Sequence, residues 1–268
     1  MLEILQLQFM QRAIIAGLLM GLTLSLLGVF VVLRRSAFFG DAVAHFAFAG
    51  VALGFLFAIN PIVAAIFVSA FLALGMGYLK NHAPLQSLDT IIGIFFSGAA
   101  ALGIFVIGLL KGYRADLFQF LFGDIIAISS QDVLTALIIS ILIIVVFVFA
   151  WKPLFKMTFN REVAQISGVK VHMYEYLFLA LLAIVTAMSI KVVGIILVPA
   201  LLVIPAAAAK NISRSLHQMI AYSLIVGVLS VTGGLIGSFY FNTASGATIV
   251  LASIVCFVFT FLINRLRR

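Results

Sequence analysis

Apolar residues fill the chain in blocks of about twenty, each closed by a short polar interval or by glycine and proline. A helix needs a block of about that length to cross about 30 Å of hydrocarbon. The blocks predict spans at Ala13–Leu33, Ala37–Ala58, Ile62–Leu79, Leu88–Leu110 and Asp132–Trp151. Four more follow at Tyr176–Ile190, Val192–Ala209, Met219–Phe241 and Ala247–Asn264. That makes nine, or eight if the short sixth and seventh are one broken element. The predicted fold class is all-α, a polytopic transmembrane helical bundle of eight to nine spans. Residues 1–12 are amphipathic and predict an interfacial helix leading into the bilayer. The less apolar Lys111–Gln131 suits a short helix at the surface or one dipping back in. Residues 152–175 form the longest polar connection, within which NREVAQISGVK predicts a short helix. There Asn160 caps, Glu162 favours the first turn, Gly168 ends it, and Val163 and Ile166 share a face.

Composition removes the soluble alternatives. The 268 residues are 65% hydrophobic and 9% charged, against about 25% charged in an ordinary soluble domain. Residues 1–268 therefore read as one transmembrane domain, with no room for a separate soluble catalytic domain. The net charge of +8 is scattered between apolar runs and forms no nucleic-acid stripe. Its use is to mark sidedness. With the loops after odd-numbered spans on the cytoplasmic side, twelve Lys and Arg fall inside and four outside. That places the N-terminus outside and the C-terminus in the cytoplasm. No basic n-region precedes the first apolar run, so no cleavable signal peptide is expected. Cys256, the single cysteine, can form no internal disulfide.

Chemistry is concentrated in Arg34–Gly54, RRSAFFGDAVAHFAFAGVALG. Asp41 and His45 lie four residues apart, on one face if the segment is helical. A charged group in hydrocarbon costs about 2.5–3.5 kcal/mol on insertion scales, so one kept there is a functional candidate. A carboxylate beside a neutral imidazole suits a divalent transition ion, zinc best, with manganese and iron acceptable. The alternative is a helix-end pair, with Asp41 countering the dipole and His45 bonded to a neighbour. His82, His172 and His217 fall in loops, where solvation accounts for them. Asp89, Asp124 and Asp132 stand at span ends, where helix capping or interfacial solvation accounts for them. Pro199 and Pro205 are expected to break a span and free carbonyls at mid-membrane, as beside a substrate path or in a kinked packing helix. The pairs Gly17/Gly21, Gly50/Gly54 and Gly233/Gly237 are expected to let helices pack closely. GxxxxGK[ST], HExxH and GxSxG are all absent, so neither ATP binding through a phosphate loop nor the commonest hydrolase chemistries are encoded.

VVLRRSAFFGDAVAHFAFAGVALGF resembles the signature of the permease subunits of bacterial ABC importers for zinc, manganese and iron. The likeness continues in order through LDTIIGIF, FLFGDIIAI, MTFNREVAQISGVKV, VGIILVPALLVIPAAAAK and VTGGLIGSFYFNTASGATIVL. FLFGDIIAI and VTGGL are most similar to the zinc-uptake branch. The resemblance implies the ABC metal-importer permease fold and a homodimer. It implies two cytoplasmic ATPase subunits that hydrolyse ATP, a periplasmic or extracellular metal-binding protein, and no permanently bound cofactor. Asp41 and His45 are implied as contacts for the transported metal, Zn²⁺ or else Mn²⁺ or Fe²⁺. Residues 152–175 are implied as the ATPase-coupling loop, with Arg161, Glu162, Val163, Ile166 and Gly168 as its docking segment. One departure is Ala206–Ala209, four alanines where the family pattern carries a threonine.

The competing class is a proton-coupled carrier or membrane enzyme using Asp41 and His45 as a relay. A carrier works alone, whereas the importer requires an ATPase. Genes for an ATPase and a His-rich binding protein beside this one would separate the two.

Overall fold

A computed structural model of the chain describes residues 7–82, 85–110, 120–121, 123, 128–195 and 197–266. No strand occurs among them, and eleven helices are bounded. They are α1 (Gln8–Leu33), α2 (Ala37–Leu56), α3 (Pro61–His82), α4 (Leu88–Leu109) and α5 (Ser130–Phe149). Then come α6 (Trp151–Phe159), α7 (Arg161–Ile166), α8 (Val171–Val193), α9 (Val198–Ile212), α10 (Leu216–Phe241) and α11 (Ser245–Leu266). Eight of these, all but α6, α7 and α9, are long and apolar enough to span a bilayer.

The ninth expected span has a different character. Tyr176–Ile190 grows into the 23-residue α8, while Val192–Ala209 becomes the 15-residue α9. Fifteen residues rise about 22 Å, short of the hydrocarbon thickness. The two are separate helices, and the break between them lies at Gly194–Leu197, where Gly194 takes φ +91. Pro199 does not break anything: it stands in the first turn of α9, where a missing N–H costs no bond. Of the two, Pro205 is the one in the interior of α9, and it is buried. At the break, the Ile195 N–H donates to the Phe120 carbonyl at 3.0 Å, which satisfies one backbone group the interruption would otherwise leave open. The rest of the Lys111–Gln131 expectation, and the interfacial helix over its first six residues, lie outside the described residues. Residues 8–12 belong to α1 itself.

Two compact units share the chain. The first comprises residues 1–37, 114–140 and 188–268. Within it α1 packs on α9 and α10, and α9, α10 and α11 pack on one another. Gly28 is where α1 meets α9. A Cβ there would stand 1.8 Å from the Leu202 carbonyl oxygen, so only glycine lets the two backbones touch. Ser223 Oγ donates to the Ser25 carbonyl at 2.9 Å and pins α10 to α1. The expected pair Gly233/Gly237 does not pack here, since a Cβ at either position would meet nothing within 4 Å. The close contact of that stretch is Gly234, whose Cβ would lie 2.3 Å from the Ile249 Cα in α11. The i,i+4 spacing was right and the register one residue off.

The second unit comprises residues 38–113 and 141–187. In it α2 and α3 form a hairpin through Asn60-Pro61, with the Asn60 side chain accepting from the Ile62 N–H at 3.0 Å. Gly50 and Gly54 do pack as expected: a Cβ would fall 2.6 Å from Ala65 Cα and 2.7 Å from Pro61 Cα. α3 rests on α8 through Gly77, against Leu179 and Tyr176, and through Ser69 Oγ, 3.5 Å from the Ala183 carbonyl. The connection after α5 is more helical than its polarity suggests. α6 continues almost directly from α5, with Leu154 buried and Phe159 exposed.

Gly28→Val should place a side chain into the Leu202 carbonyl and cost at least the 1–3 kcal/mol typical of overpacking, roughly. Gly233→Ala should stay within about 0.5 kcal/mol, as at an open surface. Thermal melts of the detergent-solubilised variants measure both.

Candidate functional site

A tight turn sets the start of α2. Arg35 adopts φ +55, and the Ser36 N–H donates to the Val31 carbonyl at 3.0 Å, closing the end of α1 in a Schellman arrangement. Asp41 and His45 follow in the second and third turns of α2. The helix puts both on one face, as their spacing predicts. His45 Nδ1 lies 3.1 Å from the Asp41 main-chain oxygen and 4.0 Å from its Oδ1. With the proton on Nδ1, directed at that carbonyl, Nε2 carries the lone pair that a metal ion needs. The ring is fixed by Phe96 of α4, at 4.3 Å between centroids. The pair is partly open: the side chains are 40% exposed at Asp41 and 26% at His45.

Asp41 opens onto a cavity of about 300 Å³ lined also by Phe38, Asp89, Ile92, Gly93 and Phe96. Asp89, expected at this span end as a cap or a solvated carboxylate, is exposed in the first turn of α4. The cap is Ser87, whose hydroxyl accepts from the Thr90 N–H at 3.1 Å, so Asp89 is not needed for that role and faces the cavity instead. The spacing from Ser87 to Thr90 is the signal that could have shown this. Gly93 leaves room, because a Cβ there would meet nothing within 4 Å. Among the described residues no three His, Cys, Asp or Glu side chains gather closely enough to hold an ion. One chain therefore offers a carboxylate and an imidazole beside a mostly apolar, phenylalanine-walled space, with a second carboxylate, Asp89, in the same lining. That arrangement suits passing an ion on rather than keeping it.

The predicted short helix is present as α7. Asn160 caps it, accepting from the Val163 N–H at 3.0 Å. Gly168, at φ +77, ends it, with Val169 N–H returning to the Ala164 carbonyl at 3.0 Å. Ala164 is buried, whereas Val163 is 55% and Ile166 88% exposed, and Glu162 is exposed beside them. Arg161 turns the other way. Its Nη2 lies 3.2 Å from Glu175 Oε2 and donates to Asn81 Oδ1 at 2.8 Å, while Lys80 Nζ lies 2.6 Å from Glu175 Oε1. The other end of α8 carries Lys191, 2.6 Å from Asp132 at the start of α5, which also accepts from Ser129. Asp132 is thus an ion-pair partner and not merely a solvated cap. Within the second unit, the C-terminal end of α3, α7 and the N-terminal end of α8 meet, as the charge bias over alternate loops requires.

Eight helices long and apolar enough to cross a bilayer, with an Asp–His pair on one of them, define a multi-pass membrane protein. The chain belongs to the ABC 3 transport family, whose sequence pattern matches residues 6–264. It is 36% identical to the high-affinity zinc uptake system membrane protein ZnuB of Haemophilus influenzae, over 92% of this chain and 94% of that protein. It is 33% identical to the manganese transport system membrane protein MntC of Halalkalibacterium halodurans, over 97% and 88%. Among solved structures, PsaBC from Streptococcus pneumoniae, determined in complex with Fab, superposes with a TM-score of 0.87 at 33% identity, covering 97% of this chain and 94% of that one.

Gly93→Leu should leave the helix intact, since leucine is the better helix former and meets no neighbour at its Cβ. It should narrow the cavity and lower transport at least about tenfold by the logic of pathway access. A melting temperature held within a few degrees, with reduced uptake in cells, is the expected pair of readings.

Proposed function

We propose that this chain is the permease subunit of an ABC importer that carries a divalent transition metal, zinc first, across the bacterial inner membrane into the cytoplasm. It acts as a homodimer with two ATPase subunits and receives its ion from an external binding protein. The observation that carries the reading is Asp41 and His45 on one face of α2, with Asp41 lining a cavity, in a chain whose relatives are named for zinc uptake and manganese transport. The ion, stripped of part of its water, is held by a carboxylate oxygen and an imidazole nitrogen, and its remaining positions are filled by water or by the second subunit. Few ligands per chain keep the binding weak enough to release.

The end bearing Lys80, Arg161 and Glu175 is taken as cytoplasmic, in line with the excess of basic residues in its loops. This orientation keeps the N-terminus outside and the C-terminus in the cytoplasm. Exposed Val163 and Ile166 on α7 then form the face that enters a groove of the ATPase. The relay reading loses ground because membership in an ABC transport family supplies an energy source that a proton-coupled carrier lacks.

Manganese is the second reading, and Asp89 favours it: a further carboxylate on the same cavity adds the oxygen that manganese prefers. The nitrogen donor of His45 favours zinc. In a strain lacking this chain, radiozinc uptake should fall and added zinc should restore growth. A defect cured by manganese and not by zinc would reassign the cargo and leave the transporter class standing. Asp41→Asn and His45→Ala should each reduce uptake of that metal to background while membrane insertion is unchanged. Normal uptake by the well-expressed double variant would remove the pair from the path.

A further inference from the structure

We propose that Glu175 is a positioning residue: it holds the ATPase-docking helix α7 to the transmembrane helices that carry the metal pair, and so transmits ATP-driven movement to them. The inference rests on the docking role proposed for α7. Glu175 is only 5% exposed, yet it lies one turn into a predominantly apolar helix, where a buried carboxylate is tolerated only if paired. Cations from two other elements face its oxygens: Lys80 of α3 hydrogen-bonds Oε1 at 2.6 Å, and Arg161 of α7 stands 3.2 Å from Oε2, an ion pair without a hydrogen bond. Arg161 also donates to Asn81 of α3, and Asn81 Nδ2 donates to the Gly77 carbonyl at 3.0 Å. One carboxylate thus joins α3, α7 and α8.

Apart from the clamp, α7 packs on the neighbouring α6. It has six residues, buries only Ala164, and turns Val163 and Ile166 outward. A helix so short has no stability of its own. From the clamp inward the contacts are continuous and close. Gly77 of α3 sits on Leu179 and Tyr176 of α8, and Gly50 and Gly54 of α2 sit on Ala65 and Pro61 of α3. α2 carries Asp41 and His45. A push on α7 therefore reaches the metal pair through one charge clamp and two glycine-packed helix contacts. The clamp is the only charged link in that series, and it can be made or broken as a discrete step.

The test uses the whole complex, permease with its ATPase subunit, in proteoliposomes loaded with radiozinc or radiomanganese. Ile166→Cys should cross-link to the ATPase subunit; failure to do so overturns the docking role itself. With that cross-link present, Glu175→Gln should keep it, keep ATP hydrolysis within twofold, and lower metal moved per ATP at least tenfold. An unchanged ratio of metal moved to ATP hydrolysed overturns the clamp. So does a proportional loss of both, which would mark Glu175 as a stabilising group only. If Glu175→Gln does not accumulate in the membrane, the double variant Lys80→Met/Asn81→Leu decides instead by the same ratio, because it removes both bonds of α3 to the clamp while Arg161 still pairs Glu175.

Discussion

Helices in a bilayer gain nothing from burying apolar side chains against each other, because lipid is equally apolar; they associate where their backbones can come close. This chain meets that requirement with glycine at specific heights. Gly28 receives the Leu202 carbonyl, Gly50 and Gly54 receive the start of α3, and Gly234 receives Ile249. Each contact brings two main chains nearer than any side chain permits. Serine hydroxyls then bond across the gaps so created, as Ser223 does to Ser25. The outer faces stay rich in Phe, Leu and Ile, as at Phe67, Phe71 and Phe105, which is the expected lining toward lipid or a second subunit.

That constraint also positions the chemistry. α2 is held to α3 by glycine contacts along its C-terminal half, while in its N-terminal turns Asp41 lines a cavity and His45 lies against Phe96 of α4. Phe96 closes on the imidazole and orients it, and the Asp41 main-chain carbonyl occupies Nδ1. The pair is thus ordered by packing and by its own helix, without a third ligand. Ordered but incomplete coordination is what transient ion contact requires, since a full cage would hold the ion too well to release it.

Much of this was legible in the sequence, for a reason particular to membranes. Block length predicts spans directly because the bilayer has a fixed thickness, so the boundaries of α2, α4, α10 and α11 fall within a few residues of expectation. The spacing of Asp41 and His45, and the cap and stop of α7 at Asn160 and Gly168, were equally plain, since each depends only on neighbours in sequence. The misses share a different cause. Pro199 was read as a breaker, but a proline's effect depends on where the helix starts, and here the start is set by the Gly194 turn and its bond to Phe120. Sequence does not show which of Ser87 and Asp89 caps α4; Ser87 does, and Asp89, exposed, lines the cavity. Gly233 and Gly237 were chosen over Gly234 because spacing gives a stripe and not its azimuth.

The least legible feature is Glu175, which sequence treats as the tail of a polar loop. Its significance is entirely tertiary: Lys80 lies 95 residues before it and meets it at 2.6 Å. A hydrophobic contact at that junction would have held α7 just as firmly. It would also have slid, because apolar surfaces are non-directional and tolerate small displacements. A buried carboxylate hydrogen-bonded to one cation and 3.2 Å from a second depends on where both stand, so displacement of α7 either drags α3 along through Asn81 or draws Arg161 away from Glu175. Where one part of a bundle has to move another, that intolerance is the useful property. It accounts for a charged group kept where the composition of the rest of the chain argues against one.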